Sequence, residues 1–349
     1  MDIGYVNARV RGMKSRLLVR DELERLMHKP DIDAVVSELE RSPYMPEIEK
    51  ASVRYSGIHC IENALRADLA GTSRKILHMV RDEPFEKYVR ISLNKWDIQN
   101  IKTVLRGKNI HVPAAEILEC VVPAGELDEA TFVELAKQPD IRSVIDLLAT
   151  WEVEYAMPLT RNYDKFHKKR DLAVLEYALD KYYYRRVLAI LKGMSHEEAV
   201  VRDFVKTEID VINIKSMLRM IRDGVPPEDG KSILIEGGSI FTPAMLLDLI
   251  GKRSIGDALS ALAGTPYSFV TDLPVTWADS GNISGYEKEL DRFLIRKGIQ
   301  AFRTDPLSIA VVIGYLWAKN NEITNIRIIS RCINAFIPDD EIRQEVLYV

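Results

Sequence analysis

Apolar residues recur at intervals of three and four along almost the whole chain. Ile58, Ile61, Leu65 and Leu69 begin such a face, and Ile76, Val80 and Tyr88 extend it across 57–93. Leu172, Leu175, Leu179 and Tyr183 repeat the pattern, followed by Val187, Leu188 and Leu191. The same period predicts long helices over 4–27, 197–222, 283–302 and 306–337. Residues three and four apart share one side of an α-helix, so each run is a stripe that must be buried. No period-two run bounded by hairpin turns stands out. Stops fall at Lys29-Pro30, Gly107, Gly193, Gly224 through Pro227, and Ile337-Pro338. The predicted fold class is all-α.

Comparing the chain with itself shows a longer period. Asp97-Ile98-Gln99-Asn100-Ile101-Lys102 returns as Asp210-Val211-Ile212-Asn213-Ile214-Lys215, and again as Glu322-Ile323-Thr324-Asn325-Ile326-Arg327. The asparagines are 113 and 112 residues apart. Glu62, Glu176 and Glu287 open a second matching element, three residues before Leu65, Leu179 and Leu290. A third aligns Pro30-Asp31-Ile32 with Pro139-Asp140-Ile141 and with Arg253-Ser254-Ile255. Pro43-Tyr44 and Pro266-Tyr267 follow at one spacing, where the middle copy reads Glu152-Val153. The chain therefore reads as three helical copies of about 112 residues, divided as 1–110, 111–226 and 227–349. That period exceeds the 20–50 residues of a solenoid repeat, so each copy is expected to be a small domain. Three like domains joined head to tail are expected to close with pseudo-three-fold symmetry into a funnel.

Composition narrows the function classes. Of 349 residues, 47% are hydrophobic and 29% charged, which excludes wholesale disorder and fibrous architectures. A net charge of −4 excludes the basic excess expected of a nucleic-acid binder. The charge is uneven, with 20 basic against 16 acidic residues in 1–110 and an acidic excess in each later copy. Cys60, Cys120 and Cys332 lie far apart, which argues against a disulfide framework or a cysteine-based zinc site and fits a reducing compartment. The first residues lack the apolar stretch of a signal peptide. The longest apolar run, Ile309 to Ala318, is about half of the roughly 20 residues a membrane helix needs. It is read as a buried core helix, with no direct bilayer insertion.

Catalytic motifs are weak. Gly230-Lys231-Ser232 resembles the end of a phosphate-binding loop, but Val225 stands where the motif needs glycine and Pro226 and Pro227 remove backbone donors. It is read as a domain linker. No histidine has a partner four residues on, and no serine sits in a Gly-x-Ser-x-Gly elbow. No cofactor or metal is expected. Lys165-Phe166-His167-Lys168-Lys169-Arg170 is the densest basic run, either a solvated helix end or an anion site. Tyr182, Tyr183 and Tyr184 cannot share one helical face, so core and exposed roles must divide among them.

Asparagine is a mediocre helix residue, so its return at Asn100, Asn213 and Asn325 implies a shared need. One reading is a buried bond tying each long helix to its neighbours; the other is a polar ring lining a central hole. Glu62, Glu176 and Glu287 adjoin apolar stripes, and each is expected to pair with Lys102, Lys215 or Arg327 of its own domain. The structural reading is preferred for both sets.

The segment Tyr5-Val6-Asn7-Ala8-Arg9-Val10-Arg11-Gly12-Met13-Lys14-Ser15-Arg16-Leu17-Leu18 closely resembles the opening of the C subunits of archaeal and bacterial A/V-type ATP synthases, relatives of the d subunit of eukaryotic V-ATPases. Leu118 through Gly125 and Leu234 through Gly238 resemble degenerate forms of that family's proline-glycine turn. The resemblance spans the chain. It implies a non-catalytic part of the central stalk, a funnel of three helical domains on the cytoplasmic face of the membrane. There it would sit, as a monomer within a hetero-oligomeric complex, between a proteolipid rotor ring and the D and F axle subunits, transmitting torque. Tyr5, Asn7, Arg9, Arg11, Lys14 and Arg16 match the motif and are the candidate partner interface; the alternative is that they seat the first helix by salt bridges. A ring of three such domains would have one natural seam, between the first and third, held only by non-covalent contacts. Two other classes stay open: a helical scaffold outside any ATP synthase, and an enzyme with a dispersed site.

Overall fold

The computed structural model describes residues 3–193, 195–274, 276–277, 281–305 and 307–348; position 306, the expected start of the last long helix, lies outside them. Among the described residues there are eighteen α-helices, one short 3-10 turn and no strand. The chain is all-α. The first six helices are α1 (Ile3–Lys14), α2 (Arg20–Met27), α3 (Ile32–Leu39), α4 (Met45–Ser52), α5 (Gly57–Val80) and α6 (Glu86–Asn109). The next six are α7 (Ala114–Glu119), α8 (Glu129–Lys137), α9 (Ile141–Thr150), α10 (Ala156–Lys169), α11 (Ala173–Ile190) and α12 (His196–Arg222). The rest are α13 (Pro227–Ile233), α14 (Pro243–Gly251), α15 (Ile255–Ser260), a 3-10 turn (Ser268–Asp272), α16 (Ser284–Thr304), α17 (Ala310–Asn334) and α18 (Asp339–Glu345).

The repeated sequence elements now acquire local causes. Asp31, Asp140 and Ser254 are the N-caps of α3, α9 and α15, accepting from the backbone N–H three residues on at 2.8, 2.8 and 3.1 Å. Each following isoleucine is the first helical residue. Tyr44 and Tyr267 stand immediately before α4 and the 3-10 turn, and Tyr155 stands before α10. The middle copy therefore keeps its tyrosine. It is displaced because α9 has 10 residues where α3 has 8.

Two predicted helices are broken. The 57–93 run is interrupted after Val80, where Asp82 takes a left-handed φ of 65° and Pro84 follows. The Asp82 N–H is then held by the Glu86 carboxylate at 2.7 Å, which starts α6. The 4–27 run stops at Lys14, and the chain re-enters a helix only at Arg20. Apolar spacings of three and four resume on the far side of each break, so periodicity does not mark the turn. The segment expected as a linker is instead α13, a short helix with Pro226 as its N-terminal cap residue and Gly230 buried.

The chain divides into two compact units. One comprises Met1–Gly107, Val112–Lys137 and Gly298–Val349; the other comprises Lys108–His111 and Gln138–Lys297. In the first unit, α17 packs on α1, α2, α3 and α5. Its Ile323, Ile326 and Ile329 join Leu26, Met27, Val35, Leu39, Ile48, Ile61 and Leu65 in one buried cluster. The expected seam between the first and last copies is thus a hydrophobic core, and opening it would expose that core to water. In the second unit, α10 and α11 form an antiparallel hairpin, α9 packs on α10, and α12 packs on α14 and α15. Tyr183 and Tyr184 are buried there, while Tyr182 stays half-exposed with its ring edge-on to Tyr155 at 6.2 Å.

Ile326, fully buried at the centre of the first unit, tests that core. Ile326→Ala is expected to cost about 2–4 kcal/mol by lost burial and a residual cavity. A urea titration of the full chain reads this as a lower midpoint, and an unchanged midpoint would refute the assignment of α17 to the core.

Candidate partner interface and repeated polar joints

The three repeated asparagines do one job. The Asn100 amide donates to the Val122 carbonyl at 2.6 Å and accepts from the Val122 N–H at 2.9 Å. Asn213 grips Ile235 the same way, at 2.7 and 2.8 Å. Asn325 grips Leu347, at 2.9 and 3.1 Å. All three side chains are at most 2% exposed. Each clasped residue lies 22 positions beyond its asparagine. A primary amide presents a donor and an acceptor side by side, so it pairs with an extended residue as a strand neighbour would. Between asparagine and clasped residue the chain turns at Pro113, Pro226 or Pro338, each the residue preceding a short helix, α7, α13 or α18. The proline has no N–H to leave unpaired there. Each long helix and the segment after it form one closed joint.

Three residues before each asparagine sits a buried carboxylate. Asp97 accepts from the Glu126 and Leu127 N–H groups at 2.8 and 3.1 Å. Asp210 accepts from Ser239, Ile240 and Phe241 at 3.0, 2.9 and 3.2 Å, and from the Tyr267 hydroxyl at 3.0 Å. Burial raises the Asp210 pKa against the pull of those bonds, and burial with the adjacent carboxylate pushes the Tyr267 phenol well up. Gly125 and Gly238 make the approach possible, since a Cβ at either would lie 2.2 or 2.1 Å from an aspartate oxygen. This is the physical content of the glycine turns.

In the last copy the N-terminal segment takes that position. The Glu322 carboxylate accepts from the Leu18 N–H, just before α2, and from the Tyr44 hydroxyl at 2.6 Å. Lys319 reaches Glu322 at 2.9 Å, Asp68 at 2.8 Å and the Tyr44 oxygen at 2.9 Å. Tyr44 and Tyr267 thus each donate to the long-helix carboxylate of the preceding copy, the third copy preceding the first in this sense. Burial lowers the Lys319 pKa, but Glu322 and Asp68 outweigh it and hold the ammonium above its ordinary value. Burial, reinforced by the same carboxylates, raises the Tyr44 phenol.

The glutamates pair differently from expectation. Glu62 binds Arg327 and Arg331, both at 2.7 Å, and Glu287 binds Arg219 at 2.5 Å; in each case the cation belongs to another copy. Lys215 pairs with Asp291. The expectation of pairing within one domain is therefore corrected for Glu62, Glu287, Lys215 and Arg327: the long helix packs against the neighbouring copy's glutamate helix. Glu176 lies half-exposed on α11 and Lys102 is buried on α6.

The candidate interface residues lie mostly on α1. Val6 and Val10 are buried and seat the helix against α17, and the Asn7 amide donates to the Ser308 carbonyl at 3.1 Å. Arg11 and Lys14 stack on the Phe302 ring, at 4.9 and 3.8 Å from its centroid. Burial lowers the Lys14 pKa, and Arg303 and Arg11 lower it further. Arg9 donates to the Tyr5 hydroxyl at 2.8 Å, and both are exposed. Arg16 is exposed beyond the helix end. The motif therefore divides: Asn7, Arg11 and Lys14 hold the helix, by an amide and by cation–π contacts, whereas Tyr5, Arg9 and Arg16 face solvent. The sequence reading missed Asp97, Asp210 and Glu322 as the acceptors at these joints; their return three residues before each asparagine was the available signal.

A family model described as ATP synthase (C/AC39) subunit matches residues 6–345. The chain belongs to that family. It is 31% identical over 347 residues to the C subunit of the A-type ATP synthase of Methanosarcina acetivorans, covering 99% of this chain and 92% of that protein. Over 348 residues it is 30% identical to the protein of the same name from Haloquadratum walsbyi, covering 98% and 97%. That from Methanocaldococcus jannaschii is 27% identical over 343 residues, covering 97% and 84%.

Two substitutions test the joints. Asn213→Ala strands a buried N–H and carbonyl on Ile235 and is expected to cost about 2–4 kcal/mol, read as a lower melting temperature. Lys319→Met leaves Glu322 and Asp68 without their cation and is expected to cost about 3–5 kcal/mol. The folded pKa values of Lys319 and Tyr44 are raised, so their stabilisation is complete below the unfolded values of 10.5 and 10.0 and is lost as pH rises beyond them. A urea midpoint that does not fall above pH 10.5 would contradict this arrangement.

Proposed function

We propose that the chain is the non-catalytic central-stalk component of an A-type ATP synthase. In this reading it couples the D and F axle subunits to the proteolipid ring and transmits torque between ion flow and ATP synthesis. It would work as one copy within that complex, peripheral on the cytoplasmic face of the membrane. The observation that carries the proposal is the near full-length similarity to proteins named as the C subunit of A-type ATP synthases. The fold supports it physically. A torque-bearing part needs joints that do not creep, and each long helix here is fixed by a two-point amide bond and a buried carboxylate. The Glu322 joint repeats without a covalent link what Asp97 and Asp210 do along the chain. Among the described residues no helix is long and apolar enough to cross a membrane.

The exposed members of the N-terminal motif are the proposed contact. Affinity purification of tagged chain from gently solubilised membranes should recover the D and F subunits with the proteolipid. Arg9→Glu combined with Arg16→Glu should reduce that recovery several-fold while leaving the melting temperature within about 2 °C, since both side chains are exposed. Recovery without any ATP synthase component would instead support the scaffold reading. Normal recovery with the double variant would remove α1 from the interface.

A further inference from the structure

The basic run at 165–170 is redistributed once it is wound onto α10. Helical spacing places Lys165 and Lys169 on the same side as Arg161, at intervals of four. Arg170 leaves the helix in the left-handed conformation, φ 56°. Arg161, Lys165 and Lys169 line a cleft of about 500 Å³ between α10, α11 and α13, whereas Lys168 does not. Across the cleft, α11 contributes Lys181 and Arg185, again four apart. Two antiparallel helices thus present two rows of cations to one space.

Within the lining, five cations face two carboxylates. Asp171 and Asp229 are the acidic residues of the lining, and an Asp171 oxygen is engaged in capping α11 through the Ala173 N–H at 3.0 Å. Arg161, Lys165, Lys169 and Arg185 form no ion pair among the described residues, although the adjacent Arg186 sits on Glu154 at 2.6 Å. Lys181 donates to the Lys231 carbonyl at 2.6 Å. Burial lowers its pKa, and Arg185 and Lys165 lower it further against the opposing pull of Glu236. Like charges held this close repel, and a multiply charged anion between them would remove the repulsion.

We propose that this cleft binds a phosphate-bearing anion carrying several negative charges, free in solution or as the headgroup of an anionic lipid. Its volume is in the range of small-molecule sites. Guanidinium forks and ammonium groups converging from two helices suit the clustered oxygens of phosphates, whereas a carboxylate peptide spreads single charges along an extended chain.

Two probes separate the sources: inorganic tripolyphosphate, followed by calorimetry on the full chain, and co-sedimentation with phosphatidylcholine vesicles with or without phosphatidylglycerol. At low ionic strength at least one should bind. Lys165→Gln with Arg185→Gln should weaken it by about tenfold or more. Lys168→Gln with Lys192→Gln, an equal charge change outside the cleft, should leave it within about twofold. Lys165→Gln alone should give a smaller loss of the same sign, which keeps the test usable if the double variant folds poorly. Binding of tripolyphosphate alone assigns a free anion, and binding of the anionic vesicles alone assigns a headgroup. The proposal is overturned if neither probe binds, if both variant pairs lose affinity equally, or if polyglutamate binds in preference to both probes.

Discussion

The arrangement depends on buried polar groups that must be satisfied inside helical packing. Each long helix carries a carboxylate and, three residues on, an asparagine, both out of water. A buried unpaired carboxylate or amide costs several times what one hydrogen bond contributes, so the chain around them has little freedom. It must deliver backbone N–H groups to the carboxylate and an extended residue to the amide. The prolines, short helices and glycine turns that follow the long helices are the means of delivery. Hydrophobic burial holds the helices together, but it tolerates sliding; these two-point bonds fix the register.

The same constraint accounts for the meeting of the first and last copies. After α6 and α12 the segments that satisfy Asp97 and Asp210 are the next residues along. After α17 the following residues supply the Leu347 partner of Asn325 and Asn321, and among the described residues none of them reaches Glu322. Glu322, one methylene longer than aspartate, is satisfied from the N-terminal segment, by Leu18 and Tyr44. The hydrophobic cluster follows suit, with the isoleucines of α17 lying among residues of α2, α3 and α5. A contact between first and last copies that looks like a weak seam from connectivity alone is a packed, ion-paired core.

The N-terminal motif shows two uses of neighbouring residues. Its amide and two of its cations are consumed in seating α1, partly by stacking on Phe302. The remaining cations and Tyr5 are left to solvent. The same cation-rich segment is thus divided between packing and solvent. Phase also separates Lys165 and Lys169 from Lys168 on α10, so a run that is contiguous in sequence becomes one side of a cleft completed by α11.

The amino-acid sequence by itself determined the helical class, because period and stop signals are local. It also determined the internal repetition and the positions of the recurrent asparagines and caps, because identity at a fixed spacing needs no coordinates. Two helix breaks, after Lys14 and after Val80, were hidden because apolar spacings of three and four resume beyond each break and periodicity alone cannot register a turn. The middle tyrosine was hidden by a longer α9. Only the tertiary structure decided which copy supplies the partner of Glu62, Glu287, Asp210 and Glu322. Those pairs join residues from 57 to 304 positions apart, and such pairing is set by how whole helices pack rather than by any local preference of the residues themselves.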